Sequence, residues 1–416
     1  MFERRNTLLW SVILVMLLIG ISVPAAAQEP VTITVWDYYG EATPIQPLIE
    51  AFEEANPDIT VQYEALDWDS TRDRLNVVLS GGTPPDVVTV DMTWLPTFAS
   101  LGAFTDLMPL SGGQLNDVPL EEAYTPGALE AMTYNDQIVT ILYDFDVYAL
   151  YYRADLLEEK GLDVPTNWDE LMDVLSQLVE GDNYRYEFLA EAFHGSQWIY
   201  ENGGGLLNED NTAAIFNAPE AVEAIEFYAG MLEAGVAIYW TTDEGERIQG
   251  IKDGRIAMFS DGPYYMGIMK SAAPELAGQW RVAVHPYSEE PGSYLGGTGL
   301  VIPTGAEHPE AAWRFIEFAM QLENQIGVYQ YAGAAPALTA ALESEEVNVA
   351  DPYFGDQQAF AVFLEAMSTA RHFPYVRGWG DIDEIFSVAM DEIALGRPAQ
   401  EALDEAADAV DEVLTQ

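Results

Sequence analysis

The sequence predicts an α/β protein with two lobes joined by several crossings of the chain. Three observations lead to this prediction: strand and helix patterns alternate near the start, strand patterns return late in the chain, and no low-complexity linker separates the two regions. The length of 416 residues also corresponds to two or three domains at about 150 residues each.

The alternation begins shortly after the N-terminal apolar segment. Residues 31–35 and 59–63 alternate in polarity and residues 87–90 form a short apolar run, and these are strand patterns. Residues 45–52 and 75–79 have helical spacing instead. The order βαβαβ predicts a parallel sheet with right-handed crossovers. Such sheets bind ligands beyond the carboxyl ends of their strands.

Strand patterns recur in the middle and late parts of the chain. Residues 138–143 and 147–152 are strand-like, with Asp144-Phe145-Asp146 between them. Apolar periodicity predicts further strands and helices. The strands are expected over 281–287 and 295–303, and the helices over 168–179, 218–234, 244–253, 309–322 and from 399 onward.

Residues 1–27 have the pattern of an export signal. Arg4 and Arg5 precede an apolar run over residues 8–23, and Ala25-Ala26-Ala27 supplies small residues for a cleavage site. We expect cleavage before Gln28 and a periplasmic or extracellular protein. The alternative is an uncleaved anchor helix, for which the apolar run is short.

The charge and the absence of cysteine exclude several classes of function. The formal net charge is −53, from 69 acidic and 16 basic residues, which disfavours nucleic-acid binding because that requires basic surfaces. The acidity suits a solvated surface or high salt, with selection for a cationic ligand as the alternative. With no cysteine there is no disulfide, no thiolate metal site and no lipid anchor through Cys.

Sequence signatures of common enzymes and metal sites are not found. The chain contains no GxSxG, no P-loop and no HExxH motif, and its four histidines are scattered. The Asp-x-Asp segments at 144–146 and 381–383 do not continue as an EF-hand loop. We therefore expect no enzyme activity, metal or cofactor. A secreted glycosidase is the remote alternative, since paired carboxylates and aromatic rings also describe its site.

The chain resembles the extracellular solute-binding proteins of ATP-driven importers, in the maltose-binding-protein-like branch that binds sugars and oligosaccharides. The resemblance covers essentially the whole mature chain and rests on the joint order of several segments. In order, they are PIQPLIEAFEEANPDITVQYE, LSGGTPPDVVTVD, ILYDFDVYALYYRADLLEEKGLDVPTNWDELMDVLSQL, IYENGGGLLNED, KDGRIAMFSDGPYY, LGGTGLVIPTG, PEAAWRFIEFAM and ALGRPAQEALDEAADAVDEVL.

This resemblance implies a two-lobed periplasmic-binding-protein fold, type II-like, whose lobes close on a ligand about a hinge. It implies a first lobe of residues 28–145 plus 285–315, and a second lobe of 146–284 plus 316–416. By the same analogy the third crossing lies near Arg314. The implied partners are a sugar or oligosaccharide and the membrane permease of an ABC importer, with the protein itself a monomer.

Candidate ligand contacts follow the ends of the predicted strands. Sugars present hydroxyls at their edges and C–H groups on their faces, so their sites pair polar side chains with aromatic rings. Trp36, Tyr38 and Tyr39 end the first strand, and Asp91 and Trp94 follow the third. Tyr38 and Tyr39 would point to opposite sides of a continuing strand, so we expect one of them to face the cleft. The alternative roles are core packing for Trp36 and a helix cap for Asp91.

Further candidates lie at the predicted crossings and in turns. Carboxylates in an apolar stretch such as that around Asp144 require a partner, and the resemblance points to several later loops. These candidates are Tyr143, Asp144, Asp146, Trp198, Asn202, Gly203, Tyr264, Tyr294, Gly297, Arg377 and Trp379. The alternatives are turn chemistry for Asn202 and Gly203 and a structural ion pair for Arg377. Many relatives carry Trp where Tyr264 stands.

The ligand class is left open between two possibilities. The resemblance favours a sugar, but acidic residues among aromatic rings also describe a site for a polyamine or another cationic solute. A surface adhesin or sensor that keeps the fold is a third possibility, because fold does not fix function.

Overall fold

The computed structural model describes residues 30–40, 43–79, 81–240, 244–374 and 376–415; the predicted leader, residues 1–27, lies outside them. The described strands are β1 Val31–Asp37, β2 Ile59–Ala65, β3 Val87–Asp91, β4 Gln114–Leu115, β5 Val118–Pro119, β6 Thr133–Tyr134, β7 Gln137–Ile138, β8 Ile141–Val147, β9 Ala149–Arg153, β10 Arg185–Phe188, β11 Ala237–Tyr239, β12 Ile256–Asp261, β13 Trp280–Ala283, β14 Ser293–Val301, β15 Ala335–Pro336 and β16 Ala370–His372.

The helices cover both faces of the two main sheets. They run over Leu48–Ala55, Trp68–Leu79, Leu95–Ser100, Met108–Ser111, Leu120–Ala123, Pro126–Ala131, Ala154–Lys160, Trp168–Leu178, Ala192–Glu201, Pro219–Glu233, Glu244–Lys252, Tyr264–Ala272, Pro309–Ala319, Leu322–Ala332, Thr339–Leu342, Ala359–Met367, Trp379–Ala394 and Ala399–Leu414, with 3-10 turns at Pro274–Leu276 and Pro352–Phe354. Among the described residues, none of these helices is long and apolar enough to cross a membrane.

The first lobe is built on a sheet with strand order β15-β8-β14-β3-β1-β2, and β16 pairs with β14. β1 is parallel to both β2 and β3, which confirms the βαβαβ prediction. β14 returns late in the chain and runs antiparallel between β3 and β8. The carboxyl ends of β1 and β3 therefore lie side by side at one edge of the sheet.

The second lobe has a sheet of order β11-β10-β12-β9-β13. β10 is parallel to β11 and β12, whereas β9 runs antiparallel to β12 and β13. Both faces of this sheet are buried: Tyr151 of β9 packs on one side and Leu150 on the other. The two-lobed α/β fold is thus confirmed.

The first crossing differs from the prediction by a few residues. Asp144 and Asp146 do not form a loop at the crossing, because both lie inside β8, which extends to Val147. Their alternation puts both carboxylates on one face of the strand. The chain passes to the second sheet at Tyr148, between β8 and β9.

The later lobe boundaries also differ from the expectation. Arg314 pairs with Asp58 at 2.7 Å, and Phe315 lies edge-on to Phe52 at 5.1 Å, so the helix Pro309–Ala319 stays with the first lobe. β15 and β16 pair with β8 and β14. Sequence patterns cannot assign such two- and three-residue strands to a sheet, because their partners are distant in the chain.

The C-terminal helices return to the second lobe. Trp379, Phe386 and Val410 belong to the same buried cluster as β9 and β10 residues. The chain therefore leaves the first lobe after His372 rather than near Arg314. We propose lobes of residues 30–147 with 293–372, and 149–283 with 379–414.

Candidate functional site

Tyr38 and Tyr39 converge on a single hydroxyl at the carboxyl edge of the first sheet. Both of their hydroxyl oxygens lie 2.6 Å from Thr298 Oγ1, and their rings stack with centroids 5.0 Å apart. The expectation that only one of them faces the cleft is wrong, because β1 ends at Asp37 and the chain turns there. The alternation rule applies only while the strand continues.

Asp37 holds this turn together rather than contacting a ligand. Its carboxylate accepts hydrogen bonds from the hydroxyls of Thr43, Tyr63 and Thr89 and from the Tyr39 N–H. Burial raises the pKa of Asp37, and these donors oppose the rise. The network fixes where the two tyrosine rings stand.

Asp91 and Trp94 lie beside the tyrosines, as their position after β3 predicts. Trp94 packs against Tyr38 at 5.6 Å and against Trp68 at 4.8 Å, and its indole N–H is buried without a hydrogen-bond partner. Asp91 accepts bonds from the Thr93 N–H at 2.8 Å and the Trp68 indole N–H at 3.1 Å. Asp91 therefore stabilises the turn after β3 and does not cap the helix Leu95–Ser100, whose N-cap has no side-chain hydrogen bond.

A glycine in β14 places Thr298 against β8. At Gly297 the backbone has φ +135, and a Cβ there would lie 2.3 Å from the Asp144 carbonyl oxygen. The register between the strands shifts at Thr298, where the Thr298 N–H donates to Asp144 Oδ1 at 3.1 Å. Gly297 thus contacts the backbone of β8, which differs from the expected ligand contact.

Asp144 and Asp146 form what we call the carboxylate pair. Asp144 is 2% exposed, and its Oδ2 has no hydrogen-bond partner. Burial raises the pKa of Asp144; burial, with the nearby charges of Asp144, Asp91 and Asp261, raises the pKa of Asp146. Among the described residues, no basic side chain forms an ion pair with either carboxylate.

Tyr148, Asp261 and Tyr264 of the second lobe face the carboxylate pair. Burial raises the pKa of Tyr264, and the charges of Asp261 and Asp146 raise it further, so the phenol lies close to both lobes' carboxylates. A Cβ at position 262 would lie 3.0 Å from Asp146 Oδ1. Gly262 therefore permits the close approach of the second lobe to the pair.

A buried cation neutralises the carboxylates of the second lobe. Arg247 donates to Glu187 Oε2 at 2.6 Å and lies 2.5 Å from Asp261 Oδ2. Its guanidinium also lies 4.3 Å from the centre of the Tyr265 ring. We call Glu187, Arg247 and Asp261 the arginine triad. Asp261 also accepts the Gly262 N–H at 2.7 Å, so the triad is tied to the turn that precedes Tyr264.

The structure adds cleft residues that the sequence analysis did not select. Asp383 has a buried Oδ1 without a partner, and burial, with the charges of Glu191 and Asp91, raises its pKa to about 7. Arg72 lies over the Trp68 ring at 4.9 Å. The sequence pattern that could have pointed to Asp383 is the Asp-x-Asp spacing at 381–383, which was interpreted above only as a possible calcium-binding pattern. No cluster of metal ligands is found among the described residues.

Three predicted contacts on the helix Ala192–Glu201 and its end have structural roles instead. Trp198 is 1% exposed and stacks on Tyr228 at 4.8 Å in the core of the second lobe. Asn202 donates to the Glu220 carbonyl at 2.8 Å, and Gly203 has φ +72 in the turn that ends the helix. This correction has a simple cause: the apolar face of the helix turns inward, away from the cleft.

Two candidates of the first lobe also lie away from the carboxylate pair. Trp36 is 6% exposed and packs beneath the guanidinium of Arg74 at 4.3 Å. Tyr143 is fully buried and its hydroxyl has no partner. Tyr143 is the extra residue at the register shift between β8 and β14, so it is packed into the core rather than placed by strand alternation.

The late candidates divide between core and groove. Tyr294 packs against Phe373 at 4.6 Å, and Trp379 packs against the same ring at 4.7 Å; both lie in the buried cluster of the second lobe. Arg377 is exposed and lines a groove of about 730 Å³ with Thr97 and Ser100 of the first lobe. Of these three side chains, only that of Arg377 is exposed.

A second cavity lacks the carboxylates that line the cleft. It has a volume of about 420 Å³ and is lined by apolar residues, among them Phe145, Leu295 and Met367, with no carboxylate. Phe145 alternates with the carboxylate pair along β8, so this cavity lies on the other face of the sheet.

Comparisons with known proteins find relatives over nearly the whole chain. The chain is 28% identical over 417 residues, covering 96% of this chain and 97% of the other, to a protein of Brucella abortus (strain 2308) named as a binding protein with no stated ligand. It is 25% identical over 399 residues, 91% of this chain and 92% of the other, to the lactose-binding protein of Rhizobium radiobacter.

A solved structure shows the same fold. The ABC transporter solute-binding protein of Thermotoga lettingae TMO, bound with alpha-D-tagatose, superposes with a TM-score of 0.81 at 24% identity, covering 92% of this chain and all of that one. The family model for bacterial extracellular solute-binding proteins matches residues 38–326. The chain therefore belongs to the bacterial extracellular solute-binding protein family.

Proposed function

We propose that this protein captures a sugar or oligosaccharide between its lobes and delivers it to the permease of an ABC importer. The observation that carries the proposal is the convergence of Tyr38, Tyr39 and Trp94 with Asp91 and the carboxylate pair at the carboxyl ends of neighbouring strands. Aromatic faces and carboxylate edges are the complement of a pyranose or furanose ring.

The relatives support the sugar class. One is named as a lactose-binding protein and another structure contains tagatose. The groove beside Arg377 is lined by residues of both lobes and has a volume of about 730 Å³.

The proposal extends to location and assembly, on the basis of the export-signal pattern of residues 1–27 and of the resemblance to solute-binding proteins. Residues 1–27 direct export and are removed before Gln28, and the mature chain is a monomer outside the cytoplasm. A chain with no cysteine has no lipid anchor through that residue, so the protein reaches its permease by diffusion.

A thermal-shift screen of the chain from Gln28 tests the proposal. A ligand at 100 times its Kd stabilises the folded state by about 2.7 kcal/mol, which is a clear rise in Tm. We expect a rise with at least one mono- or oligosaccharide. Small-angle scattering then measures closure. A rise with polyamines and with no sugar contradicts the sugar class, and scattering curves unchanged by saturating ligand contradict hinge closure.

A further inference from the structure

The carboxylate pair differs from Glu187 and Asp261, the buried acids of the second lobe, in having no ion-pair partner among the described residues. Asp144 Oδ1 accepts one backbone N–H, while Oδ2 is buried without a partner. Asp146 accepts no hydrogen bond within the described part of the chain, is not fully buried, and has Gly262 of the second lobe close to its Oδ1. Two carboxylates are thus held side by side with open acceptor positions.

The surroundings of the pair supply further negative charge and aromatic faces. Asp91 and Asp261 are close enough to raise the pKa of Asp146. The one nearby buried cation, Arg247, is already engaged by Glu187 and Asp261 at 2.6 and 2.5 Å. The stacked rings of Tyr38 and Tyr39 lie on the same side, and aromatic faces attract cations.

Neutral hydroxyl groups can fill the open acceptor positions, but they do not offset the burial that raises the pKa of both carboxyls and disfavours their ionised form. An ammonium group fills the same positions and also neutralises the charge, and charge-assisted hydrogen bonds are the stronger kind. Burial of an unpaired charge is costly, so the geometry favours a ligand that brings a cation into the site.

We propose that the ligand is an amino sugar, with its protonated amino group bound between Asp144 Oδ2 and Asp146 and its ring against Tyr38 and Trp94. This inference rests on the proposed function, and it names the class of sugar. The aromatic rings and Thr298 bind the ring and its hydroxyls, and the carboxylate pair selects the amine.

Matched ligands test the inference by isothermal titration calorimetry at pH 7. The probes are glucosamine, galactosamine and the glucosamine disaccharide, each with its neutral parent and its N-acetyl derivative, and spermidine as an amine without a sugar. We expect at least one amino sugar to bind about tenfold or more tightly than its parent, and N-acetylation to remove the preference.

Variants show which residues create the preference. Asp144→Asn and Asp146→Asn should bring the affinity ratio of amino sugar to parent close to one, whereas Asp163→Asn, at an exposed position, should leave the ratio unchanged. The wild-type ratio should also fall as the pH is lowered, because protonated carboxyls lose their attraction for an ammonium group. This pH series requires no variant to fold.

The outcomes are distinguishable. If neutral sugars bind as tightly as their amines, the inference is overturned and the proposed function stands. If spermidine binds and no sugar does, both are overturned. If no amino sugar in the panel binds, or if the ratio is unaffected by Asp144→Asn and Asp146→Asn, the inference is likewise overturned.

Discussion

The two walls of the cleft both bury carboxylates, but they treat the charge differently. In the second lobe, Arg247 lies between Glu187 and Asp261, and the guanidinium fills their acceptor positions. In the first lobe, Asp144 and Asp146 stand together without a cation among the described residues. Buried charged groups that pair with one another act within the fold. Buried carboxylates whose oxygens have no partner can instead bind a ligand.

The comparison also separates rigid from adjustable parts. The arginine triad is anchored on β10, β12 and the helix Glu244–Lys252, so breaking it should damage the lobe. The carboxylate pair depends on Gly297 and Thr298 of β14 for its geometry: a side chain at Gly297 should strain the fold, whereas loss of the Thr298 hydroxyl should affect binding more than folding. Four predictions test this division, from the largest expected effect to the smallest.

Removal of the cation from the arginine triad should have the largest effect. Arg247→Met leaves Glu187 and Asp261 buried without a counter-charge, and we expect a loss of about 3–5 kcal/mol in the free energy of unfolding. Urea denaturation followed by tryptophan fluorescence measures it. Arg397→Met, which breaks exposed pairs with Glu392 and Glu405, should change stability little. Equal losses in the free energy of unfolding for Arg247→Met and Arg397→Met would contradict the structural role of the arginine triad.

A side chain at Gly297 should be the next most harmful change. Gly297→Ala places a Cβ 2.3 Å from the Asp144 carbonyl oxygen at φ +135, and we expect a loss of about 2 kcal/mol or more. Gly230→Ala, in a helix with nothing near its Cβ position, should instead stabilise by about 0.5–1 kcal/mol. Thermal unfolding measures both. A neutral Gly297→Ala would mean that β8 and β14 can separate freely.

Loss of the hydroxyl shared by the two tyrosines should weaken binding more than folding. Thr298→Val keeps the shape but removes the group that Tyr38 and Tyr39 contact, and we expect about tenfold weaker sugar affinity, equivalent to about 1.4 kcal/mol. Calorimetric titration with the best ligand measures it. The control is Thr304→Val, whose hydroxyl bonds to the Gly102 carbonyl. Unchanged affinity in Thr298→Val would exclude Tyr38 and Tyr39 as parts of one site with Thr298.

The smallest effect should be a pH-dependent gain in stability when Asp383 is replaced by asparagine. Its folded-state pKa is raised to about 7 from 3.8, so its contribution to stability is complete below about pH 3.8 and is lost as the pH rises through about 7. Asp383→Asn should therefore stabilise the ligand-free protein by about 1 kcal/mol at pH 8, with a smaller gain at pH 5.

The neighbouring exposed carboxylate provides the control for this prediction. Asp381→Asn, on the same helix, should behave alike at pH 5 and pH 8, and Tm measurements at the two pH values compare the variants. A rise in Tm for Asp383→Asn that is larger at pH 5 than at pH 8 would contradict the raised pKa of Asp383.

Local patterns predicted much of the fold. The alternation in residues 31–35 and the helical spacing in 45–52 depend only on neighbouring residues, and the parallel β1, β2 and β3 followed. Asp144 and Asp146 were selected because carboxylates in an apolar stretch require a partner, and Asp91 and Trp94 by the rule that ligands bind at the carboxyl ends of strands. The same rule misplaced Trp36, because it does not say which face of the strand a ring occupies.

The sequence by itself determined the α/β class, the family and the acidic, aromatic character of the cleft, because these depend on composition and on short-range order. Only the tertiary structure decided which carboxylates are paired. Arg247 lies 60 residues from Glu187 along the chain, and Thr298 lies 154 residues from Asp144. Charge compensation is a property of atoms a few ångströms apart, so it appears only when the strands are brought together.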